Sequence, residues 1–288
     1  MLSRTDDTPS ATARRFAGVE RLYGPGAVAR AAAAHVVVVG IGGVGSWAAE
    51  ALARSAIGRL TLIDLDHIAE SNINRQLHAL DSTLGAAKVQ AMAARIGEIN
   101  PACTVVAVEE FIDEDNVARL LPACDAVLDA IDHVRAKAAL IAHCRKAGTH
   151  LVTTGGTGGR RDPTQIRIDD LSRTTQDALA ASVRARLRKH YGFPREPKKR
   201  FGVDCVYSLE QSRRPAIRNG EESVVCSTAL LRSGFISADF STACATPAED
   251  FDPAMGLACA GYGSSVAVTA SFGFAAAARV LAGILTPR

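Results

Sequence analysis

From residue 35 onward the chain alternates short, almost unbroken apolar runs with longer stretches whose apolar positions recur every three or four residues. The runs at 35–39, 59–64 (RLTLID), 103–108, 125–131 (DAVLDAI) and 149–154 have strand length. The stretches between them, 43–56, 84–98, 113–120 and 134–147, predict helices. Strands and helices in this rhythm imply a parallel sheet covered on both faces.

The rhythm changes at both ends. Residues 1–12 are small and polar and predict a frayed start, and 13–34 reads as helical with YGPG (23–26) as punctuation. After TTGGTGGRRDP (153–163), QIRIDDL predicts an antiparallel strand, 174–190 a helix, and 202–265 short apolar runs rich in turn residues. The expected fold is therefore α/β: a Rossmann-like, mostly parallel sheet with helices on both faces, extended by a smaller α+β C-terminal region. Residues 1–34 are expected to form an N-terminal helical arm, 35–160 the main strand–helix domain, and 161–288 the C-terminal region. The run VAVTASFGFAAAARVLAGIL (266–285) is long enough to span a bilayer, but Arg279 interrupts it and much of it is alanine. It reads as a helix buried against the sheet, with peripheral membrane association as the alternative and no firm membrane partner.

Composition adds exclusions. A hydrophobic content of 48% with 22% charged residues fits a globular chain and not a disordered one. The net charge of +3 is small, so affinity for polyanions must come from local clusters. The seven cysteines are odd in number and scattered, and no CxxC pair occurs, so no zinc is expected. With no export signal recognisable at the N-terminus, they read as reduced thiols of a cytoplasmic protein.

The chemistry begins at VVVVGIGGVGSWAAE (36–50), where a strand runs into a glycine-rich turn and a helix. Gly40, Gly42 and Gly45 give G-x-G-x-x-G, with Gly43 in addition. Such a turn brings backbone close to phosphate at a helix N-terminus, whose unpaired N–H groups and dipole favour an anion. Asp64 follows Gly40 by 24 residues at the end of the next strand, the expected place for a carboxylate on ribose. This much does not separate NAD from ATP. The following segment does: Asp66, Asn72, Arg75 and Gln76 in IDLDHIAESNINRQ, then Lys88 in GAAKVQ. Gathered cations suit a triphosphate attacked at its α-phosphorus, where they stabilise the leaving pyrophosphate. Asp129 and Asp132 of LDAIDHVRAK end the fourth strand, where a carboxylate suits a magnesium ion bridging phosphates.

These motifs resemble the ubiquitin-activating-enzyme superfamily, whose bacterial members adenylate the carboxylates of sulfur-carrier proteins. RLYG, NRQLHAL, KAALIAHCR, LVTTGGTGG, DPTQI and FGVDCVYS extend the likeness over nearly the whole chain to the tRNA threonylcarbamoyladenosine dehydratase branch. That resemblance implies ATP-dependent cyclisation of a threonylcarbamoyladenosine next to the tRNA anticodon, with 35–160 binding ATP and 161–288 meeting the substrate tRNA. It implies that Gly40, Gly42, Gly43 and Gly45 line the nucleotide, Asp64 holds the ribose with Asp66 nearby, and Asn72, Arg75 and Gln76 contact phosphates. Lys88 would neutralise the α/β region, and Asp132 would hold Mg²⁺ with Asp129 as second choice. It also implies a homodimer in which an N-terminal arginine, Arg21 or else Arg15, reaches the partner's ATP. A cysteine-desulfurase-linked sulfur-acceptor protein is a further candidate partner.

Residues 183–201 carry eight Lys/Arg against one Glu. Arg184, Arg188, Lys189, Lys198, Lys199 and Arg200 are expected to contact RNA phosphates, Tyr191, Phe193 and Phe201 to stack on bases, and Arg160 and Arg161 to extend the patch. Cys205 and Cys226 lie in apolar, strand-like surroundings and read as inert thiols, Cys205 being the first choice should a thioester step occur. His67 and His78, near the phosphate-binding segment, read as surface or supporting groups. Three rivals remain: an adenylyltransferase for the C-terminus of a small sulfur-carrier protein, an NAD-linked oxidoreductase, which Arg75 and Lys88 argue against, and a non-enzymatic nucleotide-binding scaffold.

Overall fold

The computed structural model describes residues 11–196, 199–213 and 262–286. Cys226 and Lys198 lie outside the described residues. Helices α1 (Ala11–Tyr23) and α2 (Ala27–Ala33) precede the alternating body. There β1 (His35–Val39), α3 (Gly45–Ala53), β2 (Arg59–Ile63), α4 (Lys88–Ile99) and β3 (Thr104–Val108) follow one another, and then α5 (Val117–Leu120), β4 (Ala126–Asp129), α6 (Val134–Ala147) and β5 (His150–Thr154). β6 (Ile166–Asp170), α7 (Ala178–His190), β7 (Asp204–Ser208) and α8 (Val266–Leu285) complete it.

All seven strands join one sheet in the order β3-β2-β1-β4-β5-β7-β6. It is parallel except where β6 runs antiparallel to β7. The strand sequence reverses between β1 and β4, the place where open α/β sheets bind ligands beyond their carboxyl ends. Alternation divides the core between the two faces. Val36 and Val38 join α3, α4 and α8 on one side, while Val37 and Val39 meet α5, α6 and α7 on the other. Both layers exclude water, which is why β1 reads as an unbroken apolar run.

α8 is a core helix. Val268, Phe272, Ala276, Ala277, Val280 and Leu281 are buried against α3, β4, β5 and β7, and Ser265 caps its first turn through the Ala267 amide. Arg279 leaves this face to pair with Asp204 at 2.7 Å.

Several expected boundaries shift, α5 beginning at Val117 and not at 113 and α7 at Ala178 and not at 174 among them, and two shifts have clear local reasons. α4 starts at Lys88 and not at 84, because Gly85 has φ +82° and Ala87 bridges to His67. β4 stops at Asp129 and not at 131, because the chain turns there to pack on Gly40.

Candidate nucleotide site

The glycine turn has this sequence for steric reasons. Gly40 has φ +85°, and a Cβ on it would sit 2.9 Å from the Ala130 carbonyl. A Cβ on Gly45 would sit 1.8 Å from the Gly40 carbonyl oxygen, so no larger residue fits this strand-to-helix join. Among the described residues no side chain caps the start of α3, although the Ser46 amide already turns back to the Gly42 carbonyl at 3.1 Å.

Asp64, at the carboxyl end of β2, is buried and tied to this loop. Its carboxylate accepts hydrogen bonds from the Ile41 amide at 2.6 Å and the Asp66 amide at 2.8 Å. Burial raises its pKa, against the pull of Lys88 and these two amides. Ile41 is gripped a second time by buried His78, whose Nε2 lies 2.7 Å from the Ile41 carbonyl. That contact requires Nε2 to be the protonated nitrogen, so Nδ1 is left as an acceptor, buried and without a partner among the described residues. Burial also lowers the His78 pKa, favouring the neutral ring. His78 therefore supports the loop from below.

The segment between β2 and α4 places the remaining groups. Lys88 opens α4 and is buried, its Nζ 2.6 Å from the half-exposed Asp66 carboxylate. Asn72 closes the first turn of the segment by accepting from the Ala69 amide. Buried Gln76 has its Nε2 near Gly42 and its Oε1 without a hydrogen-bond partner among the described residues. Arg75 lies over Gly43 and is held by the Ser71 carbonyl and Asn74 Oδ1. Its own carbonyl accepts from the Trp47 indole at 3.0 Å. Burial lowers the Arg75 pKa, and the attraction of Asp132 works against that shift. Arg75 and Asp132 thus belong to one electrostatic site beside the loop. Asp132 is exposed and accepts no hydrogen bond among the described residues.

Asp129 is different. It is fully buried, its Oδ2 accepts from Thr153 Oγ1 at 2.6 Å and pairs with Lys137 at 3.0 Å, and its Oδ1 accepts from the Ile131 amide. A carboxylate occupied in this way has no room for a metal, which corrects the expectation that Asp129 could serve as second choice. Lys137 is the residue that sequence reasoning overlooked. The signal was present: Val134, Leu140 and Ile141, three and four positions away, are all buried, so Lys137 stands on the core stripe of α6.

The N-terminal arginines are both exposed. Arg15 donates to the Ile99 carbonyl of its own chain, whereas Arg21 closes α1. Cys205 is wholly buried in β7, and burial pushes its thiol pKa well up, so it is not a thiolate at neutral pH.

The basic segment changes most on inspection. Phe193 and Phe201 are buried and pack edge-to-face at 5.0 Å, so neither can stack on an exposed base. Tyr191 donates its hydroxyl to Glu114. Arg184 donates to Thr174, Arg186 to Glu114, and Arg188 lies over the Phe201 ring while donating to the Pro194 carbonyl. Lys189, Lys199 and Arg200 are exposed. Arg160 does not extend the patch; it is buried against Phe272 and paired with buried Asp177 at 3.1 Å. Asp177 in turn accepts from the Gly156 amide and caps α7 through the Ala180 amide, so this pair anchors the GGTGG turn.

Comparison with known proteins agrees with this geometry. The ThiF family model matches residues 14–285. Escherichia coli tRNA threonylcarbamoyladenosine dehydratase is 46% identical over 269 residues, 93% of this chain and 92% of that protein. A crystal structure of the E. coli enzyme in complex with ATP superimposes with a TM-score of 0.77 at 43% identity, covering 97% of this chain and 96% of the other. Molybdopterin-synthase adenylyltransferase of Salmonella typhimurium is 37% identical over 42% of this chain and 48% of that protein. The chain belongs to the ThiF family and, within it, to the tRNA threonylcarbamoyladenosine dehydratases.

Proposed function

We propose that this chain uses ATP to dehydrate threonylcarbamoyladenosine in tRNA to its cyclic form. The observation that carries the reading is a glycine loop with Arg75 lying over Gly43, where Asp132 acts electrostatically on Arg75 and Lys88 on the loop-bound Asp64. A carboxylate is a poor acyl donor because its oxygen leaves badly. Attack of that oxygen on the α-phosphorus of ATP forms a P–O bond, expels pyrophosphate and leaves an acyl-adenylate. The carbamoyl group of the same side chain then attacks the activated carbonyl, loses a proton and expels AMP. The second step is intramolecular, so it benefits from high effective molarity and requires no enzymic nucleophile. That agrees with a Cys205 kept as a buried thiol.

The residues divide the work. The amides at the start of α3 and the side chain of Gln76 receive the phosphates, and Asp64 has lone pairs left for ribose hydroxyls. Arg75 and Lys88 stabilise negative charge on the departing pyrophosphate and at the α-phosphorus. Asp132, exposed and accepting no hydrogen bond among the described residues, would hold a magnesium ion, which would supply positive charge against the phosphates; no cluster of three His, Cys, Asp or Glu exists among the described residues to hold one unaided. Lys189, Lys199 and Arg200 supply exposed positive charge for the tRNA backbone. Arg21 is the arginine assigned to reach a second subunit of a homodimer. The proposed tRNA substrate fits a cytoplasmic enzyme. A sulfur-acceptor partner has no observation in its favour.

The test is mass spectrometry of nucleosides from threonylcarbamoyladenosine-containing tRNA treated with the protein, ATP and Mg²⁺. The expected result is loss of one water from the modified nucleoside, with one AMP and one pyrophosphate formed per event. Pyrophosphate release only with a small carrier protein would overturn the reading in favour of protein adenylation.

A further inference from the structure

We propose that Lys137 is a positioning residue for adenylation: its buried ammonium fixes the turn from Asp129 to Asp132 against the glycine loop, and thereby sets where Asp132 meets the triphosphate and its metal. The inference rests on the role given to Asp132 above.

The Lys137 side chain is 2% exposed and that of Asp129 is 0% exposed. Its Nζ donates to the Ile131 carbonyl at 2.9 Å and the Asp129 carbonyl at 3.4 Å, and lies 3.0 Å from Asp129 Oδ2. All three acceptors belong to two residues of a single turn. Thr154 Oγ1 donates to the same Asp129 carbonyl, and Thr153 and the Ile131 amide occupy the carboxylate. On the other side, the backbone of Ala130 sits against Gly40 so closely that a Cβ there would clash. The turn is therefore clamped between the phosphate loop and an ammonium, and the next residue but one after Ala130 is Asp132.

Stability alone does not account for this arrangement. Lysine is almost never fully buried unless paired, and a buried ion pair is often no more stable than an apolar pair of the same volume. What the ammonium adds is geometric: three fixed acceptors define the path of the backbone. Neither Lys137 nor Asp129 is open to solvent, so neither touches substrate, and the effect must pass through Asp132.

The double variant Lys137→Met/Asp129→Asn removes both charges and leaves an amide whose oxygen can still accept from the Ile131 N–H and whose Nδ2 can donate to a reoriented Thr153 hydroxyl. Trp47, the sole tryptophan, bonds to the Arg75 carbonyl beside the glycine loop, so its fluorescence is the probe for nucleotide binding without any tRNA, with labelled ATP in equilibrium dialysis as the direct check. ATP is titrated with and without Mg²⁺, and AMP formation is followed separately on tRNA. The expected result is unchanged affinity for metal-free ATP, roughly tenfold loss of the tightening produced by Mg²⁺, and kcat about 100-fold lower at unaltered KM, the scale of a 1 Å misplacement. A lower melting temperature with the Mg²⁺ effect and kcat of the folded protein unmoved would overturn the proposal. If the double variant does not fold, Lys137→Arg decides: it keeps the charge but displaces the Ile131 contact, and roughly tenfold lower kcat is expected. Wild-type kcat in that variant also overturns it. Asp132→Asn is run beside them. If Asp132→Asn itself keeps the wild-type Mg²⁺ response and turnover, the reading of Asp132 fails and the proposal with it; if only the Lys137 variants are unaffected, positioning alone fails.

Discussion

Arg75 and Lys88 sit between β2 and α4 beside Asp132 and Asp66, whereas Arg184, Arg186 and Arg188 sit on α7 among Thr174, Glu114 and Phe201. Along the chain the second group is denser and looks the stronger anion site. In three dimensions the order reverses. The α7 arginines are turned onto their own protein, one capping a loop, one paired with an acid on the α5 side, and one stacked on a buried ring. The pair beyond β2 stands next to the glycine loop and next to an aspartate that accepts no hydrogen bond among the described residues. A run of positive charge thus says little about binding until its partners are counted, since guanidinium groups are equally good at closing a fold.

The comparison can be broken most sharply at Arg75. Arg75→Ala is expected to lower AMP formation by 10²–10³-fold, about 3–4 kcal/mol of transition-state stabilisation, with the melting temperature close to that of the wild type. Near-normal turnover would remove the distinction between the two groups. The α7 side is sharpened next by its anchor. Asp170 accepts hydrogen bonds from the amides of Ser172, Phe201 and Gly202, pinning the connector between α7 and β7. Asp170→Ala is expected to cost roughly 3 kcal/mol, or roughly 6–12 °C in a thermal melt, because buried N–H groups lose their acceptor.

The same residue fixes a pH dependence. Burial alone would raise the Asp170 pKa, but the hydrogen bonds from Ser172, Phe201 and Gly202 outweigh it and hold the group below the usual carboxylate range. A carboxyl depressed in the folded state contributes stability that is fully present above its unfolded value and is lost as pH falls through the folded value. Melting temperature should therefore fall on acidification below the ordinary carboxylate range, and fall less steeply in Asp170→Ala. An unaltered slope would mean that other acids dominate.

A smaller effect is expected from the exposed remainder of the basic segment. Changing Lys189, Lys199 and Arg200 together to alanine should weaken tRNA binding about tenfold at moderate salt and reduce the slope of log K against log salt by about 2. Unchanged filter-binding curves at several salt concentrations would take this surface out of the interface. The smallest effect is expected at Cys205, where alanine should leave AMP formation within about twofold, as a mutation outside the reacting shell does. A large loss there would demand a covalent step.

Much of this architecture was legible along the chain because the signals are local. β1 is apolar on both faces, and an unbroken valine run announces that directly. Gly45 is required by a clash with Gly40 five residues earlier, and Gly40 by its own φ of +85°. Asp64, Arg75, Lys88 and Asp132 stand at strand ends or on the segment following one, where spacing and family likeness both locate them. What was misread depends on contacts distant in sequence. Phe193 and Phe201 looked available for bases because the Gly- and Pro-containing connector gives no periodicity, and only their packing on each other and on α7 buries them. Arg160 looked like surface because nothing nearby reveals Asp177 or Phe272 as its neighbours. Lys137 was hidden differently: a lysine on an apolar stripe is easily passed over as a solvated residue at the helix edge.

The place of α8 has a consequence for how the chain comes to its native state. This helix is synthesised after all seven strands, yet Phe272, Ala276 and Val280 fill the middle of one face of the sheet. Until it arrives, the apolar side chains of α3, β4, β5 and β7 that it covers are open to water. Sheet assembly on that side must therefore wait for the ribosome to deliver α8, and a nascent chain stalled before residue 266 presents a sticky, half-covered layer to chaperones.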